Sequence, residues 1–371
     1  MAQHNDINRI VQAVQKKFAP DRRVVVFDIK PLLQNDTVVL EGETSHPGAY
    51  DDLLRQITGN VKNNIRLLPD EVIGEKNRGV IYNPVEKLHA SNSYASETVS
   101  EVLLGMPVKL LDKKGGWRRV QTPEGYIGWV SEAIQPLSEA ELRAYNKKPK
   151  VAVTSLYALA YEKANVKSQT VSNLVIGDML VLEGTKGRFY RVAYPDGREA
   201  YIQKTDAEEL TDWLEGIEFT QESIVKTAGQ FMGVPYVWGG TSAHGLDCSG
   251  FTKLVYFLHG ILLPRDASQQ ALTGKLIDET GDFHNLQPGD LVYFGTRITD
   301  ENPRERVVHV GIYIGNERFI HASDYIQIGS FNPADSLFDE YNTNRYLRAK
   351  RIIGEVGTKG IERIFDNEFY E

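Results

Sequence analysis

The sequence between residues 86 and about 207 repeats itself at an offset of 72 positions. At that offset Gly105 meets Gly177, and Trp117 meets Phe189. Each copy consists of short runs of strand-forming residues separated by glycine and proline turns. Short strands with closely spaced turns favour a small barrel. Because one pattern explains so many positions, the repeat predicts two copies of one β-rich unit in the middle of the chain.

Different patterns flank the repeat and predict a multidomain α+β protein. The first 85 residues read as a small α/β unit, in the order helix, strand, strand, helix and strand, with strands at Arg23–Ile29 and Thr37–Glu41. The last unit places helices first and antiparallel strands after them, which is an α+β layout. The predicted units are residues 1–85, the two barrels at 86–137 and 148–210, and a C-terminal unit at 215–371.

Composition and charge argue against two kinds of partner, nucleic acid and the membrane interior. The 371 residues carry a net charge of −8, so a polyanion such as nucleic acid is not an expected partner. No apolar run approaches the roughly 18 residues that a membrane span needs. The first residues lack the pattern of a signal peptide, so we expect a cytoplasmic protein, or one of the cell envelope or periplasm whose targeting segment has been removed.

The chain contains one cysteine, Cys248, which excludes an intramolecular disulfide and a zinc site built on several thiolates. One interpretation is a small buried hydrophobic residue. The other is a nucleophile, because Phe251, Leu254, Val255 and Leu258 recur at helical spacing and place Cys248 at a helix N-terminus. The positive partial charge of such a terminus favours the thiolate.

A thiolate nucleophile needs a base, and the base needs an orienting group. Only His309 and His321 lie in runs that read as strands, although a single strand histidine is more often structural. The turn between them lies near Gly315. A loop with an odd number of residues would put both rings on one face, and a two-residue loop would put them on opposite faces, so this interpretation requires the odd loop. A metal site is disfavoured because no third ligand lies at a zinc spacing.

The C-terminal unit resembles the NlpC-type cell-wall cysteine peptidases, which have a papain-like fold. The resemblance covers roughly the last 140 residues and rests on ordered motifs: Pro235-Tyr-Val-Trp-Gly-Gly240, Asp247-Cys-Ser-Gly-Phe251, Pro264-Arg-Asp266, Pro288-Gly-Asp-Leu-Val292 and His309-Val-Gly-Ile-Tyr313. It implies Cys248 as nucleophile, His309 as general base and His321 as orienting residue. It also implies that the Tyr236 hydroxyl stabilises the oxyanion together with the Cys248 backbone N–H.

The two repeat copies resemble bacterial SH3-like domains, and the whole arrangement resembles the γ-D-glutamyl-L-diamino acid endopeptidases. In that family the first SH3-like domain closes one end of the cleft, which implies a preference for a free N-terminal L-Ala. Carried over, the implied substrate-binding residues are Asp247 and Glu97, which would hold the ammonium, Tyr126 beside Glu97, and Ser249 and Asp266, which would line the cleft. For Glu97 and Tyr126 the alternatives are a solvated carboxylate and a barrel-core tyrosine.

The resemblance implies hydrolysis of the amide between γ-D-Glu and the diamino acid of a peptidoglycan stem peptide or muropeptide, with no cofactor and no metal. Two alternatives stay open: the same fold acting as another amidase or as a transacylase, and a non-catalytic cell-wall-binding module. The sequence leaves open which diamino acid is accepted, the role of residues 1–85 and the oligomeric state.

Overall fold

A computed structural model describes residues 2–299 and 303–371. In the N-terminal unit, strands β1 and β2 form an antiparallel hairpin, β3 pairs parallel to β2, and both helices pack on this sheet. The elements are α1 (Ala2–Phe18), β1 (Phe27–Gln34), β2 (Thr37–Thr44), α2 (Pro47–Gln56) and β3 (Asn60–Leu67). The predicted order of elements is confirmed. The first strand begins at Phe27 rather than Arg23, because the amides of Val24 and Val25 turn back to the Asp21 carbonyl.

The first barrel is a seven-stranded antiparallel sheet with the order β10-β4-β7-β8-β9-β5-β6. Its strands are β4 (Arg78–Ile81), β5 (Val85–His89), β6 (Thr98–Leu103), β7 (Pro107–Lys114), β8 (Trp117–Gln121), β9 (Ile127–Val130) and β10 (Ile134–Leu137). Strand β4 lies before residue 86, where the sequence places the start of this unit. It belongs to the sheet because it pairs with β7 on one side and β10 on the other.

The second barrel repeats this arrangement strand for strand. Its strands are β11 (Lys150–Val153), β12 (Tyr157–Tyr161), β13 (Thr170–Val175), β14 (Met179–Lys186), β15 (Phe189–Ala193), β16 (Glu199–Gln203) and β17 (Ala207–Glu209). The sheet order is the same, and β11 to β16 each begin 72 residues after the matching strand of the first barrel. Helix α3 (Glu139–Asn146) joins the barrels, and Ser138 caps it as expected, in a reciprocal capping box with Glu141.

The C-terminal unit packs helices on a six-stranded antiparallel sheet of order β21-β26-β22-β23-β24-β25. Its helices are α4 (Leu210–Glu215), α5 (Gln221–Gly229), α6 (Cys248–Phe257), α7 (Ala267–Gln270) and α8 (Glu340–Thr343). Its strands are β18 (Thr241–Ser242), β19 (Gly245–Leu246), β20 (Ile261–Leu262), β21 (Lys275–Asp278), β22 (Leu291–Thr296), β23 (Arg306–Gly315), β24 (Arg318–Ala322), β25 (Ile326–Ser330), β26 (Tyr346–Arg351) and β27 (Glu362–Arg363).

Helix α6 is buried along its whole length, and its apolar residues share a core with strand β23. The predicted stripe of Phe251, Leu254 and Val255 lies in this core. The tail after residue 351, which the sequence left without a role, adds Ile352 and Ile361 to the same core. Among the helices that the structure describes, none has the length and apolar character to cross a membrane.

The first barrel is joined to helix α6 by a buried ion pair. The Lys253 ammonium lies 3.1 Å from the Glu124 carboxylate, and the two side chains are only 7% and 3% exposed. The Asn367 side chain donates to the Pro123 carbonyl at 3.1 Å, so the C-terminal tail holds the same turn of the barrel. This turn leads directly into Tyr126, and it is therefore fixed relative to the start of α6.

Candidate active site

Helix α6 begins at Cys248, as the sequence predicts. The Asp247 carboxylate caps this terminus by accepting the Gly250 backbone N–H at 2.7 Å. Glycine is required at position 250 because an added Cβ would lie 2.0 Å from the Gly240 carbonyl oxygen. The loop at residue 240 can therefore approach the first turn of the helix closely.

The Cys248 thiol is buried, and this burial decides its protonation. Desolvation raises the pKa of Cys248 to about 12, the neighbouring Asp247 charge acts in the same direction, and the Val310 and Ser249 amides oppose both. The helix N-terminus was expected to favour the thiolate, and burial outweighs it. The contact with the Val310 amide sets the sulfur beside β23, one residue from His309.

The two strand histidines meet on one face of the sheet. His309 Nε2 lies 2.9 Å from His321 Nδ1, so one ring donates to the other. The connecting loop is the two-residue turn Asn316–Glu317, not the odd loop that we expected. A β-bulge between Tyr313 and Gly315 supplies the extra residue and restores the shared face. The required parity is present, but the predicted loop length was wrong.

Burial also holds the histidine pair neutral. The pKa of His309 is lowered well below its usual value, first by desolvation, and further because a second positive charge beside His321 and Arg345 would be repelled. The pKa of His321 is lowered by burial, against the opposing effect of Asp339, whose carboxylate oxygen lies 3.7 Å from His321 Nε2. Because His321 occupies Nε2 of His309, Nδ1 remains as the ring nitrogen of His309 that can exchange a proton with a thiol.

A cavity of about 430 Å³ opens at Cys248, and we call it the first cavity. It brings together residues that lie up to 285 positions apart in the sequence, from Arg23 to Val308. Seven of the nine predicted site residues line it: Glu97, Tyr126, Tyr236, Asp247, Cys248, Ser249 and Asp266. Residue His309 lines a neighbouring cavity of about 380 Å³, the second cavity, and Tyr236 lines both. His321 lies buried behind His309.

Tyr236 is positioned by its backbone, which donates to the Asp324 carbonyl at 2.9 Å. Burial raises the pKa of the Tyr236 hydroxyl, and the Asp247 charge acts in the same direction, so the hydroxyl stays protonated and can donate. A neutral hydroxyl at the junction of the two cavities can stabilise an oxygen that becomes negative there.

The first barrel contributes two polar side chains to the first cavity. The Trp238 indole N–H donates to a Glu97 carboxylate oxygen at 2.8 Å, and the Tyr126 hydroxyl donates to the Asp266 carboxylate at 3.2 Å. Glu97 and Tyr126 therefore face the C-terminal unit. Tyr126 is also a buried member of the barrel core, as the alternative interpretation expects, and its role in substrate binding stays a prediction.

The carboxylate of Asp247 is already satisfied within the protein. It accepts from the Gly239 amide at 3.0 Å and the Gly250 amide at 2.7 Å. The Arg265 guanidinium binds both of its oxygens, at 3.1 and 2.5 Å. A carboxylate has about four acceptor sites, and these contacts fill them. Arg265 is 2% exposed and was missed in the sequence analysis, although it lies inside the motif that identified Asp266.

The N-terminal unit also reaches the first cavity, which no sequence pattern indicated. Arg23 donates to the Asp266 carboxylate and to the Ser268 hydroxyl, both at 2.9 Å. Asp21 holds the other edge of the same guanidinium, at 2.8 Å. Three units of the chain therefore meet at the carboxylate of Asp266. Across residues 2–299 and 303–371, no cluster of three or more histidine, cysteine or acidic side chains could hold a metal ion.

Comparisons with known proteins agree with these units. The model described as the NlpC/P60 family matches residues 233–351, and the model described as the bacterial dipeptidyl-peptidase Sh3 domain matches residues 88–133. The chain is 33% identical over 273 residues to a Bacillus cereus protein named gamma-D-glutamyl-L-lysine dipeptidyl-peptidase, covering 71% of this chain and 78% of that protein.

Two further likenesses extend the comparison. A Bacillus subtilis protein of the same name is 27% identical over 231 residues, which is 60% of this chain and 71% of that protein. The crystal structure of an NlpC/P60 family protein from Bacillus cereus superposes with a TM-score of 0.62 at 26% identity, covering 74% of this chain and 99% of that chain.

Proposed function

Because this chain belongs to the NlpC/P60 family of peptidases, we propose that it hydrolyses the amide between γ-D-Glu and the L-diamino acid of peptidoglycan stem peptides. The observation that carries the proposal is the first cavity, where Cys248 at its helix terminus faces Glu97 and Tyr126 of the first barrel. The names of the Bacillus relatives, which refer to a γ-D-glutamyl-L-lysine bond, support it.

In the proposed mechanism Cys248 is the nucleophile and His309 the general base. His309 takes the thiol proton as the sulfur attacks the acyl carbon, and it gives that proton to the nitrogen of the departing diamino acid. Water, activated by the same ring, then releases the γ-D-Glu acid and restores the thiol. His321 holds the His309 ring and its tautomer through their 2.9 Å hydrogen bond.

Charge on the carbonyl oxygen develops at the junction of the two cavities. We assign its stabilisation to the Tyr236 hydroxyl and the Cys248 backbone N–H, because Tyr236 lines both cavities and its hydroxyl stays protonated. Such donors act in a site from which water is largely excluded, where their effect on the transition state is large.

The proposed preference for a free N-terminal L-Ala rests on the carboxylates of Glu97 and Asp266, which line the first cavity. An ammonium group taken out of water needs charged partners. Glu97 and Asp266 can supply them, with the Tyr126 hydroxyl between the barrel and Asp266. The Asp247 carboxylate is filled by Arg265 and two amides, so in this proposal it orders the cavity, and Ser249 lies beside it.

One experiment tests the nucleophile. Cys248→Ala should lower the kcat/KM for L-Ala-γ-D-Glu-L-Lys at least roughly 10,000-fold, as loss of a catalytic nucleophile does. Since Cys248 is the only cysteine of the chain, a thiol-alkylating reagent should inactivate the unmodified protein and leave the variant unlabelled. Cleavage that survives in Cys248→Ala would refute the assignment, and mass spectrometry of the products would separate hydrolysis from acyl transfer to an added amine.

A second experiment tests the free-amine preference. The same tripeptide and its N-acetylated form are compared at equal concentration in the unmodified protein. We expect kcat/KM to fall roughly 100-fold on acetylation, because the carboxylates of Glu97 and Asp266 lose their charged partner. Equal rates for the two peptides would contradict the role given to Glu97 and Asp266.

A further inference from the structure

The second cavity begins where the first one ends. Tyr236 lines both, with Cys248 on one side and His309 on the other. Beyond His309 the second cavity is lined by Ser323, Asp324, the aromatic ring of Tyr341 and the side chain of Arg345. It thus contains one cationic and one anionic side chain.

We propose that the second cavity binds the departing diamino acid, with Arg345 holding one of its carboxylates and Asp324 its distal ammonium. This inference rests on the proposed function and extends it to the leaving side of the scissile amide. The direction follows from the chemistry. The sulfur attacks the acyl carbon, so the acyl part lies in the first cavity, while His309 protonates the departing nitrogen and so marks the leaving side.

Arg345 is equipped to bind a carboxylate. Its guanidinium donates through Nε and Nη2 to the Asn342 side-chain oxygen, at 3.0 and 2.8 Å, and lies 4.2 Å from the centroid of the Tyr341 ring. These contacts fix the plane of the guanidinium. Both partners are neutral, so these two contacts give the positive charge of Arg345 no counter-charge. Of its five N–H donors, three remain to face a ligand among the residues that the structure describes, and a planar guanidinium suits bidentate carboxylate binding.

The neighbouring arginines of the same sheet differ in this respect. Arg318 is paired with Asp335, Arg348 with Glu305 and Arg351 with Asp290. Arg345, which lines the cavity, has no carboxylate within ion-pair distance in residues 2–299 and 303–371. Its charge is nevertheless felt at the reaction centre, because it contributes to the lowered pKa of both His309 and His321.

Asp324 also lines the second cavity. Its backbone carbonyl accepts the Tyr236 amide at 2.9 Å, so the segment that carries its carboxylate is tied to the loop that carries Tyr236. The side chain is exposed to the cavity, where an amine of the ligand can reach it. A carboxylate and a guanidinium that line one cavity match a diamino acid at the C-terminus of a tripeptide, which carries an ammonium at the end of its side chain and at least one free carboxylate.

The carboxylate can come from two sources, which four peptides distinguish. They are L-Ala-γ-D-Glu-L-Lys, its C-terminal amide, L-Ala-γ-D-Glu-meso-diaminopimelate, and the same peptide amidated only at its α-carboxylate. If Arg345 binds the α-carboxylate, both amides are poor substrates. If it binds the side-chain carboxylate, the amidated diaminopimelate peptide is cleaved as well as its parent and better than either lysine peptide.

The test combines these peptides with Arg345→Gln, Arg345→Lys and Arg348→Gln. Loss of the guanidinium should lower kcat/KM roughly 10- to 100-fold, mainly through KM, for the peptides that carry the recognised carboxylate. It should leave kcat/KM unchanged for peptides that lack it. Arg345→Lys should recover part of the loss. Arg348→Gln removes the same charge three residues along the chain and should match the unmodified protein.

Other outcomes of the same experiments would overturn the inference. A fall of equal size for every peptide would mean that Arg345 acts only through the histidines, and no fall would place it outside the binding site; either result overturns the inference. Asp324→Asn should weaken the lysine peptide relative to its norleucine analogue, and an equal effect on both would remove Asp324 from the site. If the unmodified protein cleaves none of the four peptides, the proposed function itself fails.

Discussion

The two barrels have one strand order and a constant offset of 72 residues, yet they stand in different relations to the cleft. The first presents Glu97 and Tyr126 to the first cavity. The matching positions of the second barrel carry Gln169 and Arg198. No residue of 148–210 lines the first cavity in the part of the chain that the structure describes.

The second barrel instead makes supporting contacts. The Tyr157 hydroxyl donates to the Ala243 carbonyl at 2.7 Å, behind the loop that leads to Cys248, and Arg198 donates to the Tyr82 carbonyl of the first barrel at 3.0 Å. One scaffold thus serves two purposes in this chain. A few side chains on two turns make the first barrel part of the cavity lining and the second barrel a support. The second barrel also supplies controls, because a change in the first barrel can be compared with a change at a matching or chemically similar residue of the second.

The largest expected effect comes from giving the first barrel the residue of the second. Glu97→Gln should lower the kcat/KM for a free-amine tripeptide roughly 100-fold, or about 3 kcal/mol, because the ammonium loses a charged partner. The N-acetylated peptide should be cleaved at an unchanged rate. Gln169→Ala is the control and should cleave both peptides as the unmodified protein does. An equal loss in the two variants would end the distinction between the barrels.

A smaller effect is expected at the barrel tyrosine. Tyr126→Phe removes the hydroxyl that lies 3.2 Å from the Asp266 carboxylate, and we expect kcat/KM to fall about 10-fold. Tyr194→Phe removes a buried hydroxyl from the second barrel, where it contacts the Ser172 hydroxyl at 2.5 Å. This control should lower the thermal midpoint without changing kcat/KM. Steady-state kinetics and thermal unfolding of both variants decide between the two outcomes.

The N-terminal unit also contributes a residue to the first cavity, Arg23. Arg23→Gln should raise KM about threefold, because its bridge to Asp266 is partly exposed and such bridges contribute little. The adjacent exposed Arg22, changed to Gln, gives a control of equal charge. A KM that responds equally in both variants would show a long-range effect of charge in place of a local contact.

The pH profile should be the same in all barrel variants. The pKa of His309 lies well below its usual value of 6.5, so the ring stays neutral and able to accept a proton until the pH falls below that lowered value. The acid limb of kcat/KM should therefore lie below pH 6.5 in the unmodified protein and in Glu97→Gln alike. If the acid limb moved in Glu97→Gln, the charge of Glu97 in the barrel would have to influence the pKa of the histidines. Arg345→Gln, by contrast, should move it upward.

Much of the architecture followed from the sequence because it is written in repeated or contiguous patterns. The offset of 72 positions predicted two equivalent barrels, and the apolar stripe after Cys248 predicted helix α6. The bulge at Ile314 could not be predicted, since it depends on pairing between two strands and leaves no residue signature. The expected odd loop failed for that reason, while the shared face of His309 and His321 persisted.

The site residues that the sequence did not indicate were missed for one physical reason. Arg265, Arg23 and Asp339 act through contacts with segments distant in sequence, and single polar residues in turns carry no periodicity. Arg265 had one available signal, its place between Pro264 and Asp266 in an ordered motif. For Arg23 the sequence offered an apparent strand instead. Its role depends on a turn at Asp21, and the run of three valines after Arg23 is typical of a strand rather than of a turn.

The buried pair of Lys253 and Glu124 has a consequence for assembly of the protein. A buried charge that loses its partner costs about 3–5 kcal/mol, so a first barrel that is half-docked on helix α6 is strongly disfavoured. During biosynthesis the barrel emerges before the helix, and Glu124 remains hydrated until Lys253 arrives. We therefore expect the first barrel and helix α6 to dock together cooperatively, so that the cleft forms only when both are in place.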